Sequence, residues 1–273
     1  MEKDRIIDIK NLKTFKLEHL IEIMELLRSP VGCPWDKEQT HESIKQYMIE
    51  EAYEVLETIE ACDDAKFMDE LGDLLLQIVF HAQIAKERGS FNINDVIANL
   101  CRKMILRHIH VFGDASADNS VEALSNWESV KRREKGHNTH TQALKDIPPH
   151  MPSLMRSLKV QKKASLLGFD WERVDDAMLK VDEELDELKN ACAKGNQEKI
   201  IEEIGDILFA VVNVARFMKV EPELALRSTI EKFILRFEYI EQMSEKPIEQ
   251  MTLSEMDDLW NEAKVVFKAQ KDE

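Results

Sequence analysis

Ten carboxylates in two matching sets are the residues of this chain best suited to do chemistry. Glu50, Glu51 and Glu54 are followed by Glu70 and Asp73, and Glu183, Glu184 and Glu187 by Glu203 and Asp206. Residues three apart on an α-helix share a face, which places Glu51 with Glu54, Glu70 with Asp73, Glu184 with Glu187, and Glu203 with Asp206. Two such pairs on neighbouring helices make a four-carboxylate cage, and all-oxygen ligation suits Mg²⁺ or Mn²⁺ rather than zinc or copper. An acid run is ordinarily a solvated helix face. Here the ExxD segments, DELGDLLLQIVFHAQIA and EEIGDILFAVVNVARFM, are apolar nearly all round after their acids, which predicts buried helices. Carboxylates crowded there repel one another and take up protons unless a cation compensates them. The predicted ligands are Glu184, Glu187, Glu203 and Asp206, with a second set at Glu51, Glu54, Glu70 and Asp73.

Basic and aromatic residues recur beside the acids. Lys232 and Arg236 are four apart and point the same way from one helix, as do Lys103 and Arg107. Alone, such a pair is a solubilising face. Next to a metal cage it is a candidate clamp for the phosphate oxygens that a metal leaves free. Trp260 and Lys264 share a face near the C-terminus, where an aromatic plane can stack on a base and an ammonium can reach phosphate; a tryptophan at a helix contact is also common core. Trp35 in GCPWD and Trp171 in GFDW precede the acid helices and are weaker candidates to line a pocket mouth. The histidines form no metal-ligand spacing within the repeated segments; the two ExxH matches, Glu38 to His41 and Glu134 to His137, fall outside them. No Walker-type glycine loop and no strand-bounded dinucleotide fingerprint occurs, so metal and side chains must hold any nucleotide.

The elements that position these residues are written twice. All five acids repeat at a separation of 133 residues, Lys103-Met-Ile-Leu-Arg107 returns as Lys232-Phe-Ile-Leu-Arg236 at 129, and Trp127 with Lys131 returns as Trp260 with Lys264 at 133. Such an order implies a tandem duplication. Residues 1–135 are read as the first copy and 153–273 as the second. The stretch 136–152 between them, with HNTHT and Pro148-Pro149-His150-Met151-Pro152, reads as a linker. Each copy predicts an EExxE helix, a turn at Asp63-Asp64 or Gly195-Asn196, the ExxD helix, and a KxILR helix. A shorter helix then carries the tryptophan, opened by Asn119 with Glu122 or Thr252 with Glu255 as capping boxes. Short connections imply antiparallel neighbours in a bundle.

Composition agrees with an all-α chain. Glycine and proline number only 8 and 7, and 33% of residues are charged, as solvated helix faces require. The net charge of −16 opposes a nucleic-acid partner, whereas a free nucleotide arrives with a cation that an acidic site can hold. Cys33, Cys62, Cys101 and Cys192 show no CxxC spacing, which predicts reduced thiols in the cytoplasm. The N-terminus lacks the apolar run of a signal peptide. The most apolar stretch, Ile207 to Ala215, is too short to cross a bilayer.

These residues resemble the MazG nucleoside triphosphate pyrophosphohydrolases over almost the whole chain. The resemblance is carried by GCPWDKEQTH, EEAYEVLE, ELGDLLLQIVFHAQIA, HVFGD, KVQKKASLLGFDW, EEIGDILFAVVNVAR, KFILRF and MDDLW. It implies a tandem of two helical-bundle domains that dimerise into four-helix-bundle cores, and Mg²⁺-dependent hydrolysis of triphosphates, non-standard ones included, to monophosphate and pyrophosphate. The role implied is nucleotide-pool house-cleaning. It also places metal on Glu184, Glu187, Glu203 and Asp206, and nucleotide contacts around Lys180, Lys199, Lys232, Arg236 and Trp260. The second copy is the implied main catalytic one, yet the first keeps every acid. Ile109 stands where the family commonly has proline, which puts a local turn in doubt. Glu183 and Glu202, next to ligands but about 100° round the helix, are candidates to position water or accept its proton. A nucleotide-binding regulatory or protein-interaction module without turnover predicts the same binding, and a purely structural scaffold predicts neither.

Overall fold

The computed structural model describes residues 2–134, 136 and 139–269, and among these every regular element is helical. The chain divides into two compact units, Met1–Glu134 and Lys135–Glu273. The first contains α1 (Glu2–Lys10), α2 (Leu17–Leu27), α3 (Pro34–Glu38), α4 (His41–Ile44), α5 (Tyr47–Ala61), α6 (Asp64–Glu87), α7 (Ile93–Arg107), α8 (Ile109–Phe112) and α9 (Ser120–Glu134). The second contains α10 (His140–Lys145), α11 (Ser153–Ser165), α12 (Val174–Ala193), α13 (Gln197–Phe217), α14 (Pro222–Met243) and α15 (Leu253–Ala269), with a 3₁₀ turn at Ile248–Gln250. The duplicated order of acid helix, ExxD helix, KxILR helix and tryptophan helix is present in both.

Helix boundaries follow local chemistry. Between α5 and α6, Cys62 takes the left-handed conformation at φ 54° and Asp63 accepts from the Lys66 backbone N–H at 3.1 Å. In the second unit Gly195 supplies the left-handed residue at φ 61°, where glycine costs least, and Asn196 accepts from the Lys199 N–H at 3.2 Å. Each turn folds its two long helices back on one another. Asn119 caps α9 by accepting from the Glu122 N–H at 3.0 Å, and the Glu122 carboxylate reaches back to the Asp118 N–H at 2.9 Å, one residue before the cap. In the Thr252–Glu255 box the Thr252 N–H donates to Glu255 at 2.7 Å and the Glu255 N–H returns to Thr252 Oγ1 at 3.3 Å. The turn before Ile109 forms without proline: α7 stops at Arg107, His108 leaves the helical region at φ −97°, ψ 56°, and α8 starts at Ile109.

The first core gathers Met24, Ile44, Val79, Phe80, Ala82, Ile84 and Ile93, drawn from α2, α4, α6 and α7. It grips the C-terminal half of α6 and leaves the half bearing Glu70 and Asp73 free to face α5. In the second unit, buried alanines at 177, 191 and 210 belong to α12 and α13, and α11 is tied on where Gln161 Nε2 donates to the Phe209 carbonyl at 2.8 Å.

One expectation needs correction, and the stretch between the copies carries more structure than its composition suggests. The stretch predicted as a linker holds α10 and a buried Ile147, and Lys163 on α11 donates to the Ala143 carbonyl at 2.7 Å. Its threonine-capped helix begins within the polar run that suggested a loop; His137 and Asn138 lie outside the described residues. The ExxD helices are also only half-buried. Leu71, Leu75 and Ile78 on α6 are exposed, as are their repeats Ile204, Leu208 and Val211 on α13. At that spacing each trio forms one apolar stripe, and one unit has too few long helices to cover it.

Candidate active site

Of the four pairs set by spacing, Glu70 with Asp73 and Glu184 with Glu187 come together in the structure, each beside a carboxylate from the neighbouring helix. Carboxylate oxygens of Glu184, Glu187 and Glu203 lie within 4.8 Å of one another, as do those of Glu51, Glu70 and Asp73. Each unit thus assembles three of the four predicted ligands, and the omitted one differs. Asp206 is exposed and outside the second cluster, whereas its repeat Asp73 is inside the first; Glu54 is outside the first, whereas its repeat Glu187 is inside the second. All four positions are therefore represented across the two copies.

Burial and repulsion act together on these groups. Glu184 and Glu203 are only 6% and 4% exposed. The Glu203 carboxyl is pushed above the usual range by burial, then by the neighbouring Glu187, against the lowering pull of Lys199. In the first unit burial raises Glu51, followed by Asp73, Glu54 and Glu70, and Gln77 opposes the shift by donating a hydrogen bond. Burial and contact with Glu54 likewise raise Glu70. Crowded carboxylates with oxygens converging inside one ion's reach fit a hard divalent cation.

Lysines distinguish the second cluster. Lys180 Nζ lies 2.8 Å from both Glu183 and Glu184, and Lys199 Nζ lies 2.8 Å from Glu202 and 3.7 Å from Glu203. Both ammonium groups are raised by these partners, with the hydrogen bonds to Glu183 and Glu202 the leading causes. Glu183 and Glu202 are themselves exposed beside the cluster. The corresponding first-unit positions are Tyr47 and Lys66, and the Lys66 ammonium lies 4.0 Å from Asp63.

The remaining candidates form a separate group on α14 and α15. The Arg236 guanidinium lies 5.3 Å from the Trp260 ring centroid, and Phe233 packs on the same indole at 5.1 Å. Trp260 is thus partly engaged by protein before any base arrives. Lys232 is exposed, and Lys264 donates to Asn261 at 3.0 Å. Trp35 and Trp171 are exposed. Sequence reasoning passed over Gln77, 7% exposed with its Oε1 unpartnered; the mismatch with Ala210 at the repeat position was the available signal. It also missed the stacked His41–His81 pair, whose Nδ1 atoms are 2.8 Å apart. Burial and then His41 lower the His81 imidazole.

The chain has counterparts among known proteins. The MazG nucleotide pyrophosphohydrolase domain matches residues 39–112 and 173–241, which contain all ten acids. The chain is 45% identical over 250 residues to a Thermotoga maritima protein named nucleoside triphosphate pyrophosphohydrolase/pyrophosphatase MazG, covering 90% of this chain and 95% of that one. An Escherichia coli nucleoside triphosphate pyrophosphohydrolase is 43% identical over 255 residues, with 91% and 97% covered. Bacillus subtilis YabN is 46% identical over 247 residues, spanning 89% of this chain but 50% of that larger protein. With two helical units, each closing an acid cluster between its EExxE and ExxD helices, the chain belongs to the MazG nucleotide pyrophosphohydrolase family.

Proposed function

We propose that the chain hydrolyses nucleoside triphosphates, including non-standard ones, to monophosphate and pyrophosphate with Mg²⁺, in a cytoplasmic house-cleaning role. The observation that supports this most is the convergence of Glu184, Glu187 and Glu203 in a family whose named relatives carry that activity. Asp206, one turn beyond Glu203, completes the ligand set when its side chain turns inward. Mn²⁺ meets the same oxygen ligands. A bound divalent ion supplies neutralisation of the triphosphate and a lowered pKa for the attacking water. The chain's own residues do the rest. Glu183 and Glu202 sit beside the ligands with exposed carboxylates able to orient that water and accept its proton. Lys180 and Lys199, which balance the acids in the ion's absence, become available to phosphate oxygens once a cation takes over that charge. Lys232 and Arg236 hold further oxygens, and Trp260 with Lys264 takes the nucleoside end.

The exposed stripes support a homodimer. Leu71, Leu75 and Ile78, with Ile204, Leu208 and Val211, leave one face of each ExxD helix for a second copy, which would complete a four-helix core. Sedimentation should show a dimer at micromolar concentration; a compact monomer there contradicts it. All four cysteines are free thiols, in keeping with a reducing compartment. No helix among the described residues is long and apolar enough to cross a membrane. Incubation with ATP or a deoxynucleoside triphosphate and Mg²⁺, followed by separation of products, tests the reaction. Monophosphate with pyrophosphate is expected. Diphosphate with phosphate would refute the bond assignment, and binding without turnover would favour a regulatory module.

A further inference from the structure

The two copies treat one repeated arginine in opposite ways. Arg107 on α7 and Arg236 on α14 each follow a lysine by four residues, and each lies over the tryptophan of the next capped helix, at 5.2 Å from Trp127 and 5.3 Å from Trp260. In the first unit Arg107 is 8% exposed, and its Nε donates to Glu134 Oε2 at 2.9 Å. Glu134 is the last residue of α9. Its repeat in α15, 133 residues on, is Phe267, which packs edge-on to Tyr239 at 6.1 Å. Among the described residues no carboxylate is paired with Arg236.

A carboxylate on a guanidinium makes the same kind of charge-assisted contact as a phosphate oxygen. We propose that Glu134 is a built-in anion that occupies in the first copy the place a substrate phosphate takes in the second, and so closes the first copy to triphosphates. The inference rests on the reading of Arg236 as a phosphate ligand. An incoming triphosphate would have to expel Glu134 from a largely covered arginine and would meet its negative charge at contact range. The new contact replaces an old one of similar strength, so the exchange brings little net gain. No such exchange is needed at Arg236. One residue at the end of α9 thereby separates two sites that keep the same acids.

The test uses the full chain carrying Glu203→Gln and Asp206→Asn, so that calorimetric binding of Mg²⁺ with a non-hydrolysable ATP analogue reports the first site. Adding Glu134→Gln should tighten binding about tenfold to a hundredfold, the worth of one charge-assisted contact. Glu134→Phe, which copies the second unit, should do the same and guards against a fault peculiar to glutamine. Adding Arg107→Ala should cancel the gain, which a mere loosening of α9 would not predict. Unchanged affinity in both Glu134 variants overturns the proposal, as does a first site in the parent that already binds as tightly as the second site of the intact chain. Neither result touches turnover by the second copy. An intact chain with no Mg²⁺-triphosphate binding or turnover overturns the underlying reading and the proposal with it.

Discussion

The carboxylate clusters on α5–α6 and α12–α13 descend from one pattern yet balance their charge differently. In both, the equivalent contact recurs: Glu54 bonds Glu70 in the first and Glu187 bonds Glu203 in the second, each raising the carboxyl it meets. The second adds Lys180 and Lys199, one turn before Glu184 and Glu203, whereas the first has Tyr47 and a Lys66 directed at Asp63. The first instead packs Gln77 against Glu51, where the second has Ala210. A shared acid motif therefore specifies where a cation can sit, and the residues one turn away specify what else the site can engage. On the proposed reading, Lys180 and Lys199 would turn to phosphate oxygens once a cation takes over the charge of the acids.

The sharpest way to break this comparison is to neutralise the same acid in each copy. Glu203→Gln should lower Mg²⁺-dependent turnover by at least about a hundredfold, beyond the 10- to 100-fold typical of losing an outer-shell partner of a metal site. Glu70→Gln should cost far less. Equal losses in steady-state assays would show two working sites. Neither change should unfold the metal-free protein, because each removes a charge whose neighbours oppose it, and a markedly lower melting temperature would count against the cage.

Next in size are the cations on the third helix of each copy. Lys232→Ala and Arg236→Ala should each reduce kcat/KM by about tenfold to a hundredfold, and Lys103→Ala and Arg107→Ala by much less, since Glu134 already occupies Arg107. If neither pair matters, the phosphate clamp lies elsewhere, with Lys159 and Lys162 on α11 the next residues to change.

The smallest effect is on stability without metal. Glu51, Glu70 and Glu203 all titrate above their ordinary value of 4.5 in the folded chain, so the native state binds more protons than the unfolded one between the two values. Stability from these groups should accordingly fall as pH rises from 4.5 through their folded pKa values, and remain low above them. Saturating Mg²⁺ should flatten that slope. Melting curves in EDTA that show no such fall would mean the acids do not crowd one another in solution.

Much of this architecture was legible in the sequence because helices write their faces at spacings of three and four. The duplication, the caps at Asn119 and Thr252 and the pairing of Glu184 with Glu187 all follow from that local code. What escaped depends on contacts distant in sequence. The exposed stripe at Leu71, Leu75 and Ile78 reads as core until the number of covering helices in one unit is known. Glu134 ends a helix and resembles any solvated acid until α7 places Arg107 against it. The stretch 136–152 has linker composition, yet Lys163 fastens the short helix within it by a backbone carbonyl that no motif marks.

The central claim, that the second acid cluster holds the divalent ion a triphosphate needs, is met most directly by Mn²⁺ titration followed by electron paramagnetic resonance, with and without a non-hydrolysable ATP analogue. The account predicts a site that tightens when the analogue is present and is lost in Glu203→Gln, while Glu70→Gln leaves that coupling intact. Mn²⁺ binding that survives Glu203→Gln with its response to the analogue unchanged would contradict it.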